Sequence, residues 1–242
     1  MKLPTQFDER VRPDIVKRAV LSIQSKNRQP YGADPEAGLR HVTRLNQRNN
    51  AFRGQKGKGM SRVPKKVLLA RGEQFYWVGA ESPNTRGGRT AHPPKAEKDF
   101  SEDINDKERR KAIRSAIAAT SDESLVSEKH DYEGDLPITS SDISSIERTQ
   151  ELEQELEDLG LEDELERVSE KKVRAGKGAN RGRKYSRKTG PLVVVAEDDG
   201  IKQAASNLPG VDVSEVDQLN AEKLAPGAEP GRLTVWSEKS VE

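Results

Sequence analysis

From Lys171 to Pro191 the chain carries nine basic side chains and no acidic one. So many like charges in so short a stretch repel one another in water, and only solvent, salt or a polyanion relieves them. The block therefore needs a body that draws its stability from elsewhere. A second basic region lies upstream: residues 36–98 hold 14 basic and 4 acidic side chains, against 8 basic and 23 acidic in residues 99–170. The net charge of +1 hides this segregation. Two cationic blocks separated by an acidic one form a nucleic-acid footprint attached to a body that faces solvent or another partner.

Composition limits the rest. Hydrophobic residues are 32% of the chain, aromatics 4% and charged residues 34%. At roughly 25 cal/mol per Å² of buried apolar surface, such a chain cannot form one dense core along its whole length. The absence of cysteine excludes disulfides, thiolate metal sites and thiol nucleophiles. Three scattered histidines argue against a metal cluster, and no cofactor is expected. The longest apolar run, Leu192 to Ala196, is far short of the roughly 20 residues of a membrane span, and no signal peptide opens the chain, so a soluble intracellular protein with no membrane partner is expected.

Pro13 and Asp14 open an amphipathic helix whose apolar face is Ile15, Val16, Ala19, Val20 and Ile23. From Tyr31 to Lys98 periodicity stops, and glycine, proline and cations alternate; a stretch this long is disordered or ordered by a partner. Asn105 and Glu108 have the spacing of a capping box before a helix through Ala112, Ile113, Ala116 and Ile117. Leu136 to Thr139 predicts a strand, and Asp142 to Leu159 a helix closed by Gly160. Leu192 to Ala196, Val211 to Val216 and Arg232 to Trp236 predict strands, alternating with helices at Ile201 to Asn207 and Ala221 to Leu224. The fold expected is α/β, a parallel sheet of about four strands with flanking helices plus a long extended basic loop. Residues 1–35 supply the N-terminal helix of the body, 36–98 the loop, and 99–242 the globular body with a second basic insertion at 171–191.

Catalytic readings are weak. Gly176, Gly178 and Gly182 are not flanked by the strand and helix of a dinucleotide fingerprint, and Lys188-Thr189-Gly190 lacks the spacing of a phosphate-binding loop. Glu151, Glu153, Glu155, Glu157 and Asp158 read as a solvated outer face rather than a catalytic pair. An α/β nucleotide-dependent enzyme with a disordered basic insertion is the alternative, and a free RNA-binding regulator a third reading. Glycine beside arginine suits backbone approach to phosphate better. The candidate RNA contacts in the loop are Arg40, Arg44, Arg48, Arg53, Lys56 and Lys58, then Arg62, Lys65, Lys66, Arg86, Arg89, His92 and Lys95. In the second block they are Lys171, Lys172, Arg174, Lys177 and Arg181, then Arg183, Lys184, Arg187 and Lys188. Phe52, Phe75, Tyr76 and Trp77 on the loop imply base stacking or a neighbouring protein.

Longer motifs carry a family resemblance. Arg12-Pro13-Asp14-Ile15-Val16-Lys17-Arg18-Ala19-Val20 with Asn27-Arg28-Gln29-Pro30-Tyr31-Gly32 resembles the opening of the universal large-subunit ribosomal protein four family, in its archaeal and eukaryotic form. Gly57-Lys58-Gly59-Met60-Ser61-Arg62-Val63-Pro64 is similar to its loop motif. Arg89-Thr90-Ala91-His92-Pro93-Pro94-Lys95, Arg181-Gly182-Arg183-Lys184-Tyr185 and Pro230-Gly231-Arg232-Leu233-Thr234-Val235 follow in family order. The resemblance implies a non-enzymatic constituent of the large ribosomal subunit, monomeric within the ribosome, bound to ribosomal RNA and to neighbouring ribosomal proteins. It further implies that the long loop reaches the nascent-peptide exit tunnel, with Met60, Ser61 and Arg62 nearest the constriction. One departure is that Met1 and Lys2 stand where family members place a short strand and turn, so an edge strand is expected to be missing or the start to lie upstream.

Overall fold

The computed structural model describes residues 3–241 apart from 73 and 142, together with the backbone but not the side chain of Phe75. The expected helix start at Asp142, the stacking role of Phe75 and the Met1–Lys2 departure lie outside the described residues. The chain divides into two compact units, residues 28–100 and residues 1–27 with 101–242.

The 28–100 unit is not wholly irregular. Strands β1 (Lys65–Arg71) and β2 (Gln74–Gly79) form an antiparallel hairpin, with a register irregularity between Val67 and Leu69. The sequence signal is two short apolar runs either side of Gly72, hidden by the surrounding glycines and cations. Arg44 extends the sheet by a single bridge to Lys65. Among the described residues, this unit holds most of the exposed large apolar side chains, including Val42 (87%), Phe52 (78%) and Leu68 (62%).

The second unit is the body. Helix α1 (Pro13–Asn27) buries Val16, Ala19 and Val20 and packs beside α2 (Asp106–Ala118), whose Ala112 and Ala116 allow close approach. The expected capping box does not form: the Asn105 side chain makes no cap bond, and Glu108 instead accepts from the Arg18 guanidinium of α1 at 2.7 Å. An ion pair between helices has taken the carboxylate that the local capping hydrogen bond would have used. Helix α3 (Glu123–Ser127) is capped by Asp122, which accepts from the Ser124 amide. Strand β3 (Ile138–Ser140) follows.

The helix expected from Asp142 begins later. Ile143–Ser145 is a single 3-10 turn that buries Ile143, and α4 spans Thr149–Asp158. Two consecutive serines favour turns over helix interior, which separates the two pieces. At the end of α4, Gly160 takes φ +81°, letting the amides of Gly160 and Leu161 close back on the carbonyls of Glu157 and Leu156. A further helix, α5 (Glu162–Ser169), was concealed in the glutamate run, although Leu161, Leu165 and Val168 have helical spacing.

Beyond it, β4 (Lys171–Val173) and β5 (Tyr185–Arg187) pair antiparallel around the single helical turn α6 (Lys177–Asn180). Strand β6 (Leu192–Val195), α7 (Ile201–Ala205), β7 (Asp212–Glu215), α8 (Ala221–Leu224), β8 (Thr234–Ser237) and α9 (Glu238–Val241) complete the body. The sheet is parallel throughout, in the order β3-β8-β6-β7, so the α/β class and strand number match expectation.

Valine-rich β6 is central, buried on both faces, as a strand in a doubly covered parallel sheet must be. Val193, Val195 and Val235 face the side covered by α4, α5 and α7, while Leu192, Val194 and Trp236 face α1, α2 and α8. Leu152 and Leu156 are fully buried on the first side. Leu156→Ala should destabilise the body by about 2–5 kcal/mol, measured by chemical denaturation followed through far-ultraviolet circular dichroism.

Candidate nucleic-acid interface

The second basic block is a projecting hairpin. All nine cations from Lys171 to Lys188 are exposed, and among the described residues every ion pair lies elsewhere. The one ring in the hairpin, Tyr185, lies under two of them: the Lys171 ammonium is 4.4 Å and that of Lys184 5.4 Å from its centroid. Pairing the strands brings Lys171 opposite Arg187 and Lys172 opposite Ser186. The hairpin thus concentrates charge that its own side chains cannot neutralise.

What holds it is in the body. Glu164 on α5 is fully buried, and its carboxylate accepts from Arg167 at 2.6 and 2.7 Å, from His130 Nδ1 at 2.6 Å and from the Asp131 amide at 3.1 Å. Burial pushes this carboxyl up, but the hydrogen bonds from Arg167 and His130 overcome that and hold it below the ordinary carboxylate range. Arg167 spends a further N–H on the Thr189 carbonyl at 2.9 Å, where the chain returns from β5. One residue later, the Gly190 carbonyl accepts from Nε of Arg232, a buried arginine that also donates to the Lys223 carbonyl and the Asp212 carboxylate. Two arginines, the buried Arg232 and the half-buried Arg167, therefore clamp the root of the hairpin. Reading the sequence for exposed cations missed both; the signal for Arg167 was its spacing of three from Glu164 on a helix.

In the 28–100 unit, Arg40, Arg44, Arg48, Lys56, Lys58, Arg62, Arg86, Arg89, His92 and Lys95 are exposed, as is Ser61, and Arg53, Lys66 and Met60 are half-buried. Arg40 is engaged by Asp34 and Glu36. Lys65 departs from expectation: it is 8% exposed, donates to the Ser61 carbonyl at 2.6 Å and lies 5.3 Å from the Trp77 ring centroid. Its charge is spent on holding the base of the β1–β2 hairpin. Phe52 and Tyr76 are exposed and Trp77 half-buried.

Most of the acidic residues lie on the body. A cleft of about 840 Å³ is lined by five acids, Asp131, Glu133, Asp163, Glu166 and Glu170, together with Arg167 and with Lys188 of the hairpin root. Of the five α4 acids read as a solvated outer face, Glu151, Glu153, Glu157 and Asp158 are exposed, whereas Glu155 is half-buried and accepts from the Ser140 hydroxyl of β3.

Fold and surface together define a structural protein, in which the α/β body spends its buried Glu164 and Arg232 on holding the root of a projecting cationic hairpin. The chain belongs to the ribosomal protein L4/L1 family, whose family model matches residues 1–242, and it is accordingly not an enzyme. It is 48% identical to the large ribosomal subunit protein uL4 of Nanoarchaeum equitans over 244 residues, covering 100% of this chain and 91% of the relative. The proteins of the same name from Halobacterium salinarum (48%, covering 92% of the relative) and Archaeoglobus fulgidus (45%, covering 91%) are similarly matched along 100% of this chain.

Glu164→Gln should lower stability by roughly 3–5 kcal/mol, because it removes the fully buried carboxylate that neutralises the half-buried Arg167 and leaves only the more distant, exposed Asp131 to do so. Glu164 has a depressed carboxyl in the folded state, so its contribution is present at neutral pH and lost as pH falls through and below the usual carboxylate range. Denaturation midpoints against pH should therefore fall less steeply on the acid side in the variant than in the parent chain.

Proposed function

We propose that this chain is a structural constituent of the large ribosomal subunit, cytoplasmic and monomeric within the ribosome, that binds ribosomal RNA through its two cationic regions. The β4–β5 hairpin carries the reading: nine exposed cations without one acidic partner are a surface in want of a polyanion. Arginine pairs bidentately with phosphate oxygens, and Gly178 and Gly182 leave room for a nucleic-acid backbone to approach Arg181 and Arg183. The acidic body, repelled by the same phosphates, stays toward solvent or meets neighbouring ribosomal proteins.

The 28–100 unit is the second contact. Its exposed apolar side chains and exposed cations describe a segment whose proper surroundings are not water. In the assembled subunit it threads RNA and reaches the wall of the nascent-peptide exit tunnel, with Met60, Ser61 and Arg62 closest to the constriction.

Replacing Arg181, Arg183 and Lys184 together by alanine should weaken RNA binding and reduce the slope of log affinity against log salt by about 0.7–0.9 for each phosphate that the variant no longer neutralises. An unchanged slope would show that the hairpin faces solvent. Deleting residues 62–88 should leave the stability of the body unaltered, since its core lies in residues 1–27 and 101–242. Subunits assembled with the deleted form and imaged at side-chain resolution should have a wider tunnel at its narrowest point; an unaltered wall would place the loop elsewhere.

A further inference from the structure

Cations explain attraction to phosphate but not contact with bases, and the 28–100 unit contains a group suited to the latter. Where the chain enters and leaves this unit, the rings of Tyr31 and Phe100 lie parallel within 14°, centroids 5.5 Å apart. The guanidinium carbon of Arg28 is 4.5 Å from the Phe100 centroid and 5.2 Å from that of Tyr31. The Lys98 ammonium approaches Phe100 to 5.6 Å. Backbone fixes the two segments together: the Ala33 amide donates to the Pro94 carbonyl at 2.9 Å, and a Cβ on Gly32 would stand 2.3 Å from the Ala96 nitrogen. Only glycine permits that approach.

Tyr31 is therefore a ring already restrained, and the side-chain freedom that an isolated exposed aromatic gives up on stacking has been given up on folding. It is nonetheless 53% exposed. Phe100 lies on one side of the ring, and Arg28, Lys95 and Lys98 supply exposed positive charge nearby in sequence or space. A rigid aromatic surface bordered by cations is matched by a nucleotide with an unpaired base, which offers a π-face and a phosphate together. A duplex, whose base faces are already stacked, cannot use it.

We propose that Tyr31, backed by Phe100 and Arg28, is a stacking platform for one unpaired base of the bound RNA. This rests on the phosphate-binding reading above and adds to it a preference for single-stranded RNA at a named residue.

The test uses the full chain and three RNA probes: a short oligoadenylate, its duplex with oligouridylate, and an abasic strand of equal length. Tyr31→Ala should weaken oligoadenylate binding roughly 5- to 150-fold, the range for removal of one base–aromatic stack. The salt slope and duplex affinity should not change, and Tyr31→Phe should bind as the parent does. The parent chain should itself prefer oligoadenylate to the abasic strand, a comparison that needs no variant to fold. Equal binding of those two strands, or equal weakening on single strand and duplex in Tyr31→Ala, overturns the platform. If the alanine triple of Arg181, Arg183 and Lys184 retains its salt slope, the phosphate reading fails; if the triple responds and Tyr31→Ala does not, only the platform fails.

Discussion

The carboxylate of Glu164 joins three stretches of chain: α5 on which it sits, the His130–Asp131 segment before β3, and, through Arg167, the end of the β4–β5 hairpin. A hairpin made of cations contributes no apolar surface of its own to the core, so its position must be set at its root. A buried anion with several donors meets that requirement, because its hydrogen bonds are directional and the cost of leaving any of them unmade is high. Arg232 repeats the device one residue further along, tying Gly190 to Lys223 and Asp212. The sheet begins immediately afterwards at Leu192, so the charged clamp and the apolar core share a boundary.

The two units solve the problem of marginal apolar content in opposite ways. The body concentrates its valine, leucine and isoleucine on either side of four short strands and caps them with helices. The 28–100 unit spends few apolar groups inward and presents Val42, Phe52, Leu68 and Tyr76 outward. Full-length similarity to archaeal relatives named uL4 covers both units. In the body sequence sets a self-sufficient core; in the other unit it sets a surface for something else to cover.

Legibility followed the same division. The parallel sheet could be read because Leu192 to Val195 is an uninterrupted apolar run and because short helices alternate with the later strands. The charge blocks could be read directly. The two hairpins could not: β4 and β5 are three residues each, half of them cations and with Val173 and Tyr185 as their only apolar side chains, so the pairing that organises them has no apolar alternation to announce it. The capping box at Asn105 failed because Glu108 found a longer-range partner in Arg18, and the single helix drawn from Asp142 divided because Ile143 buries itself in a separate turn. Lys65 shows the limit of counting charge, since nothing local in the sequence distinguishes it from Lys66, the less buried lysine beside it.

The acid-lined cleft beside a root that leads into an all-cationic hairpin gives the body a permanent electric dipole. In a uniform medium that asymmetry does nothing. In the steep field near a polyanion it exerts a torque, turning the hairpin forward and the cleft away before any hydrogen bond is made. Near such a field, charge alone favours one presentation of the body over its reverse.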